Sequence, residues 1–158
     1  MCWSQYHEED VLEGSSGAAH QRLFGISLRG FIFEADLGNR GLKNVSDSYG
    51  GAAWSLAASP RSASLFVGCE DGSVRLFSYT SQARLVYVRA FATGGGRVLC
   101  LAVHPVSRLL YAGCLDGSVR CLDEDSGRQV FRTSGMAHGA HITAHLTSLC
   151  VLPDSTHR

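Results

Sequence analysis

The sequence predicts an all-β protein, an incomplete β-propeller of about three four-stranded antiparallel blades. Three observations lead there. The chain repeats itself: shifted by 45 residues, Ala53–Pro60 falls on Val98–Pro105, and Gly68–Arg75 falls on Gly113–Arg120 with seven of eight residues identical. Each repeat divides into four short apolar runs separated by turn residues. The runs lack clean polar alternation. Leu65, Phe66 and Val67 are consecutive, as are Leu109, Leu110 and Tyr111, which suits a sheet covered on both faces, as a blade is between its neighbours.

In the first full repeat, strands are expected near 52–59, 64–69, 73–78 and 84–90; in the second, near 97–104, 108–114, 118–122 and 128–132. Asp71-Gly72 and Asp116-Gly117 join the second and third strands. Asp-Gly suits a tight hairpin because Gly accepts positive φ without a Cβ clash. Pro60 and Pro105 close the first strand, since proline cannot donate to a ladder. A weaker copy comes before: Arg22–Gly30 resembles the second strand and its turn, Phe31–Glu34 the third, and Gly30 stands where Gly72 stands. A fourth copy is expected to begin at Leu146–Pro153 with a first strand alone. A period of 45 residues lies among those of WD-repeat propeller blades. The expected organisation is an acidic, disordered extension over 1–20, blades over 21–132 and an irregular tail over 133–158 holding that last strand. The blades divide into a partial one (21–47) and two full ones (48–92 and 93–132).

Propellers typically use about 4–8 blades, and closing the ring removes their exposed edges. Roughly three blades cannot close, so the outer faces of the first and last would present apolar surface, as uncapped terminal repeats do. The chain is therefore expected to be a fragment or a truncated form, poorly soluble or self-associating alone.

Charge is balanced, with 14 Lys plus Arg against 14 Asp plus Glu. Net charge thus supplies no general reason for nucleic-acid or membrane binding. The four charges before residue 20, Glu8, Glu9, Asp10 and Glu13, are all acidic, so Arg22–Arg132 is mildly basic; Lys43 is the sole lysine. No run approaches the roughly 20 apolar residues of a membrane span, and Met1 is not followed by the basic start and apolar run of a signal peptide. Cys2, Cys69, Cys100, Cys114, Cys121 and Cys150 form no C-x-x-C pair, and most lie in apolar runs. Free buried thiols in a reducing compartment are expected, not a disulfide framework.

Asp71 and Asp116 are the acidic residues repeated in register. Paired carboxylates could serve acid–base chemistry. They lie about one blade apart without a neighbouring base, so the structural reading is preferred: turn aspartates that accept backbone hydrogen bonds, with Gly72 and Gly117 completing each turn. Arg75 and Arg120 also repeat. They could face phosphates, but pairing with acids in adjoining turns is the stronger expectation. Arg97 follows Gly94-Gly95-Gly96 in a loop between blades; loops on a propeller face carry recognition, which makes Arg97 the candidate partner contact. Those glycines are no phosphate-binding loop, since no Gly-Lys-Ser/Thr follows. His138, His141 and His145 have a spacing zinc would accept, yet an irregular segment gives them no rigid frame, and no metal is expected. His104, before Pro105, reads as a turn histidine. Trp54 and Phe66 read as blade packing rather than a base-stacking platform.

One stretch is more specific than a fold. "DSYGGAAWSLAASP", Asp47 to Pro60, followed by "LFVGCEDGSVRLF", Leu65 to Phe77, resembles the cirhin family, that of the fourth U-three-snoRNA-associated protein. "RLFGISLRGFIFEADL", Arg22 to Leu37, and "RVLCLAVHP", Arg97 to Pro105, extend the resemblance over about Arg22–Arg132, while the two ends do not share it. The resemblance implies a non-catalytic WD-repeat scaffold of the nucleus, in the nucleolus. There it would act in ribosome biogenesis as a small-subunit processome component, supporting ribosomal DNA transcription and pre-18S rRNA processing. The implied partners are other WD-repeat processome subunits, with pre-rRNA or a snoRNA ribonucleoprotein beside them. No cofactor, small-molecule substrate or membrane is implied. The usual Gly-His pair and the Trp after the third strand are absent from the full blades, where Phe77 and Leu122 occupy the late third strand. The fold alone would also permit an adaptor of another complex, such as a ubiquitin ligase substrate receptor. An enzyme using the histidine cluster ranks last.

Overall fold

In the computed structural model, which describes residues 2–4, 22–59, 61–79, 84–133 and 148–151, the strands form three four-stranded antiparallel sheets, each with its strands in chain order. The first holds β1 (Cys2–Ser4), β2 (Arg22–Ile26), β3 (Phe31–Asp36) and β4 (Gly41–Asp47). The second holds β5 (Ala53–Ala58), β6 (Ser64–Cys69), β7 (Ser73–Ser78) and β8 (Val86–Ala92). The third holds β9 (Val98–Val103), β10 (Leu109–Cys114), β11 (Val119–Asp123) and β12 (Gln129–Thr133).

The two full repeats thus fold into equivalent blades. One strand moves: β8 begins at Val86, because Leu85 turns into the core beside Tyr79 instead of joining the ladder. The first sheet is complete, where a partial blade is expected. Its innermost strand comes from Cys2–Ser4, inside the stretch expected as an extension, and pairs Cys2 with Phe24 and Ser4 with Arg22. Ser148–Val151 carry no strand, and the rest of the expected fourth copy lies outside the described residues, as does Pro60.

Side chains alternate between the two faces of a strand, and blade 2 uses both. Leu65, Val67, Cys69 and Phe77 point toward blade 1 and meet Phe24 and Ile32. Phe66, Val74, Leu76 and Phe91 point toward blade 3 and meet Val98, Leu110, Ala112 and Leu122. This accounts for the consecutive apolar residues. The first strands adjoin, β1 beside β5 and β5 beside β9, while β4, β8 and β12 form the mostly exposed outer edges. Sheets stacked in this way are blades of an incomplete WD-type β-propeller.

Glycine is required at two kinds of place. Gly30, Gly72 and Gly117 turn with φ of 83, 82 and 76°, the left-handed region that side chains rarely adopt. Gly68 lies where blade 2 meets blade 3: a Cβ there would stand 2.7 Å from Val98 Cγ1 and 2.9 Å from its carbonyl oxygen.

Candidate functional site

The turns between second and third strands and the linkers between blades meet on one face, built twice on the same plan. Asp71 Oδ1 accepts from the Ser73 N–H (2.9 Å) and hydroxyl (2.6 Å). Asp71 Oδ2 accepts from Arg75 at 2.6 Å, and the same guanidinium nitrogen donates to the Tyr49 carbonyl at 2.9 Å. In blade 3, Asp116 accepts from Ser118 N–H (2.9 Å), Ser118 hydroxyl (2.5 Å) and Arg120 (3.3 Å). Backbone bonds tie each linker to both of its blades. Ser48 N–H donates to Gly30 O at 2.7 Å and Asp71 N–H to Gly50 O at 3.2 Å. One blade on, Thr93 N–H donates to Gly72 O at 3.2 Å and Asp116 N–H to Gly95 O at 3.3 Å.

Burial would push both carboxyls up. The hydrogen bonds from Ser73 and Ser118, with the neighbouring guanidinium groups, outweigh it and hold Asp71 and Asp116 below the usual carboxylate range. Carboxylates whose lone pairs are engaged and whose charge is locked in suit anchoring rather than proton transfer. Tyr49 departs from the plan. It holds φ 57° where Gly94 holds 69° in the next linker, and its exposed ring lies 5.4 Å from that of Tyr87.

A second cluster crosses the junction between blades 2 and 3. Trp54 on β5 donates its indole N–H to Glu70 Oε2 at 2.5 Å. Arg97, just before β9, pairs with Glu70 Oε1, and its guanidinium carbon lies 4.5 Å from the centroid of the Trp54 ring. The hydrogen bonds from Arg97 and Trp54 hold the Glu70 carboxyl low. This corrects the expectation for Trp54, which is 37% exposed and lies outside the core, whereas Phe66 is fully buried. The reason is register: Ala53 and Ser55 face inward on β5, so Trp54 between them points out. Arg97, the expected partner contact, spends its charge within the chain while about a third of its side chain stays in solvent. Glu70 escaped notice, although a signal existed. Between Gly68–Arg75 and Gly113–Arg120 it is the one position that differs, with Leu115 as its counterpart.

The opposite face is held by local bonds. His104 Nδ1 accepts from Val106 N–H (3.1 Å) and Ser107 N–H (2.9 Å), a turn role. Between blades 2 and 3, Arg61 pairs with Glu124 at 3.8 Å and donates to the Val106 carbonyl. Cys69, Cys100, Cys114 and Cys121 are buried thiols outside any disulfide, and burial is the main cause that raises the Cys69, Cys100 and Cys121 thiols. Among the described residues no three His, Cys, Asp or Glu gather to hold a metal. His138, His141 and His145 lie outside those residues.

Known proteins resemble parts of this chain. The family described as WD domain, G-beta repeat matches residues 44–78 and 86–123. The human U3 small nucleolar RNA-associated protein 4 homolog is 49% identical over 74 residues, covering 47% of this chain and 11% of the relative. The mouse U3 small nucleolar RNA-associated protein 4 homolog is 44% identical over 85 residues, covering 54% of this chain and 12% of the relative. The chain therefore spans 11–12% of the length of these curated relatives.

Proposed function

We propose that this chain is a non-catalytic WD-repeat scaffold of ribosome biogenesis, a nucleolar component of the small-subunit processome. The observation that carries this reading is the 49% identity, over a stretch of 74 residues, to a human protein whose name states association with U3 small nucleolar RNA. The physical mechanism is display. Stacked blades fix the turns and linkers of one face, and partners dock on that fixed arrangement. The Asp71 and Asp116 networks are its internal fasteners, each with its turn glycine, Gly72 or Gly117.

The contact point on that face is the Trp54–Glu70–Arg97 cluster. Trp and Arg are the residue types that concentrate binding energy at interfaces, and here each holds the other in place before a partner arrives. Its partners are other WD-repeat subunits of the processome, with pre-rRNA or a snoRNA ribonucleoprotein in the same assembly. Through them it supports pre-18S rRNA processing and ribosomal DNA transcription.

The test is an affinity-tagged chain expressed in human cells. Nucleolar fluorescence, with U3 RNA and WD-repeat subunits enriched over a tag-only control, is expected. Arg97→Ala should reduce that enrichment while leaving the β circular dichroism spectrum unchanged. Exclusion from nucleoli, with U3 RNA at control level, overturns the reading.

A further inference from the structure

The linkers before blades 2 and 3 follow one plan and part at one place. The 45-residue shift sets Asp47-Ser48-Tyr49-Gly50 on Ala92-Thr93-Gly94-Gly95. The third position of each holds the left-handed backbone, with φ 57° at Tyr49 and 69° at Gly94. Glycine takes that conformation freely, whereas a bulky side chain there is strained. Tyr49 is 62% exposed, so core packing does not offset the strain. Backbone strain held at an exposed position points to function.

The surroundings fix the ring in place. Three aromatic rings run outward from the core between blades 1 and 2: Phe77 is fully buried, Tyr87 is 38% exposed and Tyr49 is the most exposed. Tyr87 lies 5.7 Å from Phe77 and 5.4 Å from Tyr49, edge to face in both pairs. Arg75 ties the outer two together, donating to the Tyr49 carbonyl at 2.9 Å and to the Tyr87 hydroxyl at 3.5 Å. The charges beside the rings are engaged: Arg75 pairs with Asp71 at 2.6 Å, and Asp47 accepts from the Tyr49 N–H at 2.6 Å. The hydroxyls are not. That of Tyr49 has no partner among the described residues, and that of Tyr87, which accepts from Arg75, keeps its own proton to donate.

We infer that this Tyr49–Tyr87 platform docks a proline-rich protein segment in the extended polyproline conformation. Proline has no N–H, and a polyproline helix leaves its carbonyls without internal partners. The platform answers with flat apolar rings and two hydroxyl donors, the combination with which aromatic-lined surfaces hold such segments. An uncharged ligand matches a site whose charges are already paired. A nucleic acid matches it poorly: Asp71 neutralises Arg75, whose side chain is only 15% exposed, so a phosphate finds no counter-charge. The platform belongs to the junction between blades 1 and 2, whereas the Trp54–Glu70–Arg97 cluster crosses that between blades 2 and 3, so either can be lost without the other.

The test is fluorescence anisotropy of labelled decaproline titrated with the full chain. Saturable binding is expected, nearly unchanged between about 50 and 200 mM salt, a range over which phosphate-driven binding falls steeply. Tyr49→Gly restores the residue type that the next linker carries. It should melt at the wild-type temperature or above, since glycine relieves the strained φ. It should nevertheless bind at least about tenfold more weakly, as loss of an interface aromatic does. Tyr49→Asn, a residue type that also tolerates this backbone, should behave in the same way. No saturable binding, wild-type affinity in both variants, or a labelled uridine decamer bound more tightly than decaproline overturns the inference. So does a melting temperature well below wild type in both variants, which would make Tyr49 a residue of the fold.

Discussion

Glu34 is 2% exposed, a carboxylate almost wholly out of water. Burial pushes its pKa up. Hydrogen bonds from Arg22 (2.8 and 2.7 Å) and Asn44 (2.7 Å), with the Arg22 and Lys43 charges, more than offset it and leave the group below its usual range. The Arg22 guanidinium also lies 4.9 Å from the Tyr79 ring of blade 2, so this ion pair belongs to a junction as well as to a strand. Asp71 and Asp116 are held low too. A carboxyl whose pKa is lower folded than unfolded binds more protons in the unfolded state. Its contribution is complete above the unfolded value, near 4, and drains away as pH falls through the folded value. The melting temperature should therefore change little from neutral pH to about 5 and drop steeply below about 4. Glu34→Gln should lower it at neutral pH and make the acid drop shallower. Thermal melts by circular dichroism measure both, and an acid limb equally steep in the variant would count against Glu34 as a contributor.

At the scale of one element, β6 must run close beside the next blade, and Gly68 is the point of contact. Ser55 hydroxyl donates to the Val98 carbonyl at 3.2 Å across the same gap, so backbone on the far side is already committed. Gly68→Ala should cost about 1–3 kcal/mol, as overpacking does in a core, since the new Cβ would stand 2.1 Å from Ser55 Oγ, 2.7 Å from Val98 Cγ1 and 2.9 Å from the Val98 carbonyl oxygen. Gly41→Ala on β4, where the nearest atom to a new Cβ is 4.0 Å away, should stay within about 0.5 kcal/mol of wild type, as ordinary surface changes do. Urea titration of the pair reads the difference directly. Strands such as β6 and β10 were legible in the sequence because their apolar residues, Asp-Gly turns and spacing recur in register. Asp71 and Asp116 were legible for the same reason. The first strand of blade 1 was not, since it is three residues long and separated from β2 by seventeen others. Nor was the Glu70 cluster, since Trp54 lies on β5 of one blade and Arg97 just before β9 of the next, and only the fold brings them together.

For the whole molecule, the cores lie between blades rather than within them. Blade 2 spends Leu65, Val67 and Phe77 on blade 1, and Phe66, Val74 and Leu76 on blade 3, so neither neighbour can be packed without it. A stack of this kind draws its stability from nearest-neighbour junctions as much as from its repeats. Phe77 tests this. It is fully buried, on β7, in the core that also holds Phe24 and Ile32 of blade 1. Phe77→Ala should cost about 3–5 kcal/mol, the usual range for emptying a buried aromatic site. The location of the loss is more informative than its size. If junctions couple the blades, amide hydrogen exchange should quicken in β2 and β3 of blade 1 as much as in β6 and β7 of blade 2. If each blade were a self-sufficient sheet, the quickening would stop at blade 2. Exchange measured strand by strand separates the two outcomes, and a loss confined to β5–β8 would mean that the apolar contacts between blades carry little of the fold.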